Sequence, residues 1–395
     1  MIERSEYLEK LKNWKDKDLI KVITGIRRSG KSTLFELYIK YLKDSGVSDD
    51  HIISVNLESP DYGFEDYKDL YNYVNEKIVD ENNYYVFLDE VQNIREFQKA
   101  VDGLYIKKNV DVYITGSNAY LLSGELATLL SGRYIEVKLL PLSFKEYKEY
   151  LNVDGDEKLY LRYINNSSFP YALKLDTEDE IDDYLDGIYN TIIVKDVATR
   201  KKIADTGMLK SVTEFLFSNI GSAMSVKKIA DTMTSKGRSI SVHTVDSYLE
   251  SLTESFIFNK VSRYDIKGKQ YLETNEKYYA TDVTMRYALL GRKNLDAGHI
   301  LENVVYLELI RRGYKVYIGK VDDNEVDFVA ENKDGRVYYQ VSYTTRDENT
   351  LLRELTPLKK INDHYPKYIL TMDLDPKTDY DGIVKMNVLD WLLDK

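Results

Sequence analysis

Between Leu19 and about Val137, short apolar runs recur with stretches of helical period between them: LIKVIT, HIISVN, YYVFLD, DVYITG and RYIEVK. Runs of this length, rich in β-branched and aromatic residues, read as buried strands. Their alternation with helices predicts a parallel, doubly wound α/β sheet. The run LLPLSFKEY ends this first domain, and no Gly-, Ser- or Pro-rich linker follows, so the change of pattern alone sets the boundary near residue 150. From about 155 to 290 helical period dominates. GMLKSVTEFLFSNIG, SVKKIADTMTSKG (Ser225 as N-cap, Gly237 as C-cap) and SVHTVDSYLESLTES read as three helices. FIFNKVSRYDIKGKQYLETNEKYYATD follows as a hairpin, and that order of parts describes a winged helix. After Gly298 the pattern becomes helix, strand, hairpin, helix, strand, with a Lys-Asp-Gly turn in EVDFVAENKDGRVYYQVSY. Three domains are expected, at 1–150, 151–290 and 291–395, without internal repeats.

Composition narrows the class. A chain of 395 residues with 43% hydrophobic content is long enough for two or three cores. It contains no Cys, which excludes disulfides, thiolate metal sites and a Cys nucleophile and fits a reducing cytoplasm. No 18-residue apolar run and no basic-then-apolar leader is present, so a cytoplasmic protein without a membrane partner is expected. The net charge of −11 argues against wrapping nucleic acid over the whole surface, because phosphate neutralisation needs clustered Lys and Arg; any such contact is local.

GIRRSGKS carries candidate chemistry. Gly25, Gly30, Lys31 and Ser32 have the phosphate-loop spacing, an apolar strand (20–24) leads in and a helix (33–42) leads out. Glycines at both ends let the backbone of Gly25, Ile26, Arg27, Arg28, Ser29 and Gly30 curl around phosphates, with the helix N-terminus at Lys31, Ser32 and Thr33 aimed at the anion. Lys31 reaches the β and γ phosphates and Ser32 ligates Mg2+. In YYVFLDEVQ, Asp89 emerges at the C-terminal end of a buried strand, where open α/β sheets bind ligands. Asp89 is the second magnesium contact, and Glu90 the base or water-positioning residue. In YITGSN, Ser117 and Asn118 stand either to contact the γ phosphate or attacking water or simply to begin a polar loop. Arg133, in LLSGRYIEV, is either an arginine supplied to a neighbouring subunit's site or a surface charge; Arg27 and Arg28 are weaker candidates for that role.

GIRRSGKSTL, FLDEVQN, ITGSN, LSGRY and LPLSFKEY resemble the prokaryotic AAA-type P-loop ATPases of the ASCE class fused to a C-terminal restriction-endonuclease-like domain of unknown function. The similarity runs through YNTIIVKDV and the winged-helix region to LEN and EVDFV, essentially the whole chain. It implies ATP, a magnesium requirement and hydrolysis using Glu90. One departure lies in NNSSFPYAL: the resembling proteins show a glycine pair before the proline, and this chain has Ser167 and Ser168.

In the middle domain the third helix carries Asp246, Glu250 and Glu254 against a single His243, a face that repels phosphate. Lys260, Arg263, Lys267 and Lys269 of the wing, interleaved with Tyr264 and Tyr271, and Lys227, Lys228, Lys236 and Arg238 of the second helix are either a duplex contact or a solvated face. The last domain resembles the PD-(D/E)XK nuclease fold, in which a helix Glu, a hairpin Asp and a Glu or Gln bind magnesium and a Lys two residues further on handles the water. Glu302, Asp327 and Gln340 match the first three, whereas the Lys position is Ser342. A four-residue turn Asn332 to Gly335 sets Asp327 opposite Gln340, and a two-residue turn shifts the pairing by two. A hydroxyl cannot stabilise developing charge as an ammonium does, and Lys359 or Lys360 has nothing in the sequence to bring it there, so a domain that recognises DNA or protein without cutting is expected.

The sequence thus predicts an ATPase that couples nucleotide state to domain movement and to a DNA or protein partner, with self-association open. The alternatives are a nucleotide-gated binding switch with negligible turnover and a metal-dependent DNase.

Overall fold

Each of the five expected strands forms where its apolar alternation predicts. β1 (Ile20–Thr24), β2 (Ile52–Asn56), β3 (Tyr84–Asp89), β4 (Val110–Gly116) and β5 (Tyr134–Lys138) build one parallel sheet in the order β2-β3-β4-β1-β5. The computed structural model describes residues 2–117, 130, 132–199, 201–292 and 296–394. Asn118 lies outside the described residues.

Helices cover both faces of this sheet because successive strand residues point to opposite sides. Ile20, Val22, Val86, Leu88 and Val112 pack with α3 (Tyr67–Glu76) and α4 (Phe97–Tyr105). Ile23, Tyr85, Phe87 and Tyr113 pack with α1 (Ser5–Asn13) and α2 (Lys31–Asp44). The helix expected from residue 33 begins two residues earlier, at the lysine of the loop itself. Lys21 is fully buried on the α1/α2 side and is answered there by Asp111 of β4.

Contacts divide the chain into two units, Met1–Pro141 with Glu254–Phe256, and Leu142–Thr253 with Ile257–Lys395. The second unit begins with six helices: α5 (Phe144–Leu151), α6 (Asp156–Asn166), α7 (Glu178–Thr191), α8 (Thr206–Ser218), α9 (Val226–Ser235) and α10 (Val242–Glu254). Ser225 caps α9 as expected, its hydroxyl accepting from the Lys228 amide at 3.2 Å, and Gly237 follows the helix at φ +84°. The hairpin β6 (Phe258–Asp265) and β7 (Gln270–Ala280) comes next, then α11 (Met285–Leu290), α12 (Ala297–Arg311), β8 (Lys315–Val321), β9 (Asn324–Asn332), β10 (Gly335–Ser342), α13 (Glu348–Lys359), β11 (Lys367–Thr371), β12 (Thr378–Tyr380), β13 (Ile383–Asn387) and α14 (Val388–Leu392).

The expected succession of three helices and a hairpin, then helix, strand, hairpin, helix and strand, is present. The expected cut at 290 nevertheless runs through this unit. β6 pairs with β8, Arg263 to Ile318 through Asp265 to Lys320, so the hairpin extends the C-terminal strands into one eight-stranded mixed sheet, β12-β13-β11-β10-β9-β8-β6-β7. Pairing across more than 50 residues leaves no local pattern in the chain. Leu355 and Leu358 of α13 close one face over Val326, Val329, Tyr338 and Ile369.

Ser167 and Ser168 acquire a physical role here. Ser167 has φ +74° and ψ +147°, a region that only glycine enters without strain. The fully buried Asp282 carboxylate holds it there, accepting from the Ser167 hydroxyl at 2.9 Å, the Ser168 amide at 2.7 Å and the Ser168 hydroxyl at 2.6 Å, and from the amide and hydroxyl of Thr284. Removing that acceptor orphans several buried donors at once. Asp282→Ala is therefore expected to destabilise the second unit by at least about 3 kcal/mol, read as a lowered urea midpoint for its unfolding.

Candidate nucleotide-binding site

The C-terminal edges of three neighbouring strands bring the candidate residues of the first unit together. β4 lies between β1 and β3, with Thr24 opposite Gly116 and Leu88 opposite Ile114, so the loop after β1, the carboxylates after β3 and Ser117 after β4 share one end of the sheet. This is the end at which open α/β sheets bind ligands.

The loop has a conformation that its glycine supplies. Gly25 sits at φ +146°, and a Cβ there would stand 2.2 Å from the Leu139 carbonyl oxygen, so no larger residue fits. Gly30 precedes α2 in the left-handed region and provides no side-chain cap, and the first turn of α2 carries no acidic residue. The leading N–H groups of a 14-residue helix are thus left open toward the loop, the arrangement that attracts an anion. The Ser29 hydroxyl is buried and has no hydrogen-bond partner among the described residues, a second sign of a site for an outside group. Ile26 is buried, Arg28 is exposed at φ +67°, and Arg27 lies 3.8 Å from Glu58.

Lys31, 4% exposed, folds back on the loop, donating to the carbonyls of Gly25 at 3.2 Å and Ile26 at 3.4 Å; its ammonium lies 3.6 Å from Glu90. Burial lowers its pKa, and the charges of Glu90 and Asp89 oppose that without cancelling it. Ser32, in the first turn of α2, is exposed, and Thr33 is half-buried. Asp89 accepts from the Thr115 hydroxyl, which in turn accepts from the Glu90 amide at 2.9 Å. Burial works to raise the Glu90 carboxyl, but the charge of Lys31 and hydrogen bonds from Ser117 and Gln92 prevail and hold it below the ordinary range. A carboxylate kept ionised next to a buried ammonium is equipped to accept a proton from water.

Arg133 is not brought to this edge. The Ile20 amide bonds to the Arg133 carbonyl at the opposite end of β1, and the Arg133 guanidinium lies over the Tyr105 ring, 5.6 Å from its centroid. Sequence reasoning missed three residues that shape the site. Thr115 is legible only as a polar residue at the end of an apolar strand, and Gln92 as a neighbour of the acidic pair. Arg4 has no signal at all: it lies ahead of α1 and donates to the Ser29 carbonyl at 3.1 Å and the Leu140 carbonyl at 2.6 Å, bracing the loop from behind.

In the second unit, Asp327 and Gln340 face each other as the four-residue turn predicts. Gly335 pairs with Asn332, and the Asp327 amide donates to the Gln340 side-chain oxygen at 2.8 Å. Glu302 of α12 is near enough for its charge to act on Asp327. Of the basic wing residues, Lys267 is paired with Asp322 and Lys260 with Glu276; Arg238, after α9, is paired with Asp205.

Comparison with known proteins decides the family. Residues 17–148 match the AAA domain family, and 157–296 and 297–389 match two domains of unknown function, DUF8612 and DUF4143. An uncharacterised protein of Haemophilus influenzae is 43% identical over 100% of this chain and 99% of its own length. The chain belongs to the family of this protein, and its residues 17–148 carry an AAA domain. An uncharacterised protein of Methanocaldococcus jannaschii is 30% identical over 83% of the chain and 76% of its own length. In fold, a Walker-type ATPase of Pyrococcus abyssi is similar at a TM-score of 0.52, with 15% identity, over 73% of this chain and 96% of that one. No helix among the described residues is long and apolar enough to cross a membrane.

For this AAA protein, Lys31→Ala is expected to weaken ATP binding by about 100-fold or more, because charge-assisted hydrogen bonds to the phosphates are lost; equilibrium titration with a fluorescent ATP analogue checks it. Ser117→Ala removes a donor that favours ionised Glu90. The acid limb of any pH–turnover profile then moves upward.

Proposed function

We propose that the protein is a magnesium-dependent ATP hydrolase whose turnover is coupled to movement of the segments after residue 150 and to a DNA or protein partner. The observation that carries this reading is an ionised Glu90 lying 3.6 Å from the loop lysine at the same sheet edge as an uncapped helix N-terminus. Bound MgATP supplies the phosphoanhydride and the cation that offsets its charge during phosphoryl transfer to water. The loop amides and Lys31 hold the β and γ phosphates, the ammonium leaving the Gly25 and Ile26 carbonyls to do so. Ser32 and Asp89 hold the ion, and Thr115 fixes the Asp89 carboxylate and the Glu90 backbone together. Glu90 orients water and takes its proton, with Ser117 and Gln92 aiming the carboxylate.

In this reading residues 151–290 form a winged-helix lid and 291–395 a PD-(D/E)XK-like domain, as the order of elements supports. DNA contact is local: Lys227 and Lys228 on α9 and Lys269 at the hairpin tip are exposed, whereas ion pairs already engage Lys260, Lys267 and Arg238. Arg133, at the far end of the sheet, acts on phosphate only in a neighbouring copy. One observation favours a nucleotide-gated switch instead, namely that Ser117 and Gln92 already engage Glu90.

ATP turnover separates the two readings. Glu90→Gln is expected to keep ATP binding and lower turnover by about 100-fold or more, and the wild type to be stimulated by one of single-stranded DNA, duplex DNA or RNA if a nucleic acid is the partner. Wild-type turnover no faster than that of Glu90→Gln under every condition sinks the hydrolase and leaves the switch.

A further inference from the structure

A second buried lysine, far from the nucleotide loop, stands among the carboxylates of the C-terminal sheet. Lys277 of β7, 4% exposed, donates to Glu302 at 2.9 Å and pairs with Glu325 of β9 at 2.8 Å. Tyr279, also on β7, donates to the same Glu302 oxygen at 2.5 Å, and His299 stands 3.4 Å from the other. We propose that the Lys277 ammonium permanently occupies the place of a divalent cation in this pocket, making the C-terminal segment a metal-free module that does not cut nucleic acid. The proposal builds on the nuclease-like reading of residues 291–395 and is independent of the nucleotide chemistry.

Ligand availability supports it. Magnesium requires about six oxygens in near-octahedral array. Here each of the three candidate side chains already has an oxygen engaged by the protein. One Asp327 oxygen accepts from the Val341 amide at 2.8 Å. The Gln340 oxygen accepts from the Asp327 amide, and its nitrogen donates to Glu354 at 2.7 Å. Among the described residues no group of three or more His, Cys, Asp or Glu is placed to hold a metal ion. Gly221, at φ +73°, packs against this cluster, where a Cβ would stand 3.0 Å from His299 and 3.4 Å from Glu302.

Electrostatics agrees with the geometry. Burial works to lower Lys277, but Glu302, Asp327 and Glu325 together raise it, so it remains charged. Burial works to raise Glu302, and Lys277 chiefly reverses that, with His299 and Tyr279 adding hydrogen bonds. The lysines expected as substitutes are elsewhere: Lys359 lies toward Asp381 at 3.7 Å, Lys360 donates to Asn324, and the Ser342 hydroxyl donates to the Thr344 carbonyl at 3.0 Å.

The test uses the full chain without nucleotide, with Mn2+ binding followed by water-proton relaxation and thermal unfolding measured with and without MnCl2. Wild type and Glu302→Gln are expected to bind Mn2+ identically. Lys277→Ala is expected to melt about 5 °C or more below wild type, because two carboxylates lose their buried partner. It should also gain one Mn2+ equivalent that restores the melting point, a gain absent from the Lys277→Ala, Glu302→Gln double variant. Should Lys277→Ala fail to fold, the wild-type comparison still decides: a Mn2+ site lost in Glu302→Gln overturns the proposal, and equal binding upholds it. Plasmid cleavage by the wild type with Mn2+, lost in Asp327→Ala, overturns both this proposal and the non-cutting reading. A Mn2+ site lost in Glu302→Gln without cleavage overturns only the resident ammonium.

Discussion

An ammonium group enclosed in protein needs an opposite charge within a few ångströms, and this constraint organises both units of the chain. Removing a cation from water is expensive unless hydrogen bonds and a counter-charge replace the solvent. Around Lys31 the replacements are loose: two carbonyls at 3.2 and 3.4 Å and a carboxylate at 3.6 Å. Around Lys277 they are close, with two carboxylates at 2.9 and 2.8 Å. Charge-assisted bonds strengthen steeply as they shorten, so the first lysine is poised to exchange partners and the second is fixed.

What surrounds each lysine sharpens the difference. The first stands at the head of a helix whose leading amides have no side-chain cap, beside a hydroxyl that finds no partner among the described residues. That environment is incomplete by itself. The second is enclosed by a tyrosine, a histidine and a backbone turn, and the nearby Asp327 is held by a backbone amide. Nothing there awaits completion. The difference follows from position: the loop lies at the C-terminal ends of parallel strands, whereas β7 lays its lysine against Glu302 of α12 and Glu325 of β9.

The parts legible in the sequence are those written in neighbouring residues. The short apolar runs LIKVIT and YYVFLD announced buried strands, and the spacing of Gly25, Gly30, Lys31 and Ser32 located the loop. Turn chemistry narrowed the hairpin to two registers, and the pairing of Gly335 with Asn332 selects the one that sets Asp327 against Gln340. The remainder depends on contacts made over long stretches of chain. Arg4 reaches the Ser29 carbonyl from 25 residues upstream, and Lys277 reaches Glu302 across the same separation. The hairpin expected as a separate wing joins a sheet through a pairing of Tyr264 with Gly319, which no local pattern announces. Arg133 keeps both of its readings, an arginine for a neighbouring copy or a surface charge, since the direction of β5 takes it to the other end of the sheet from the loop.

Ser167 and Asp282 are bound to one another in a way that constrains the history of the chain. A serine at that backbone angle is tolerable only while an acid 115 residues away gathers its hydroxyl and the adjoining amide. A lineage starting from glycine could therefore acquire the acid first and the serine second, but the reverse order passes through an ancestor carrying strain with nothing to relieve it. Once both are in place, the serine can return to glycine by itself, but the acid cannot be lost while the serine remains.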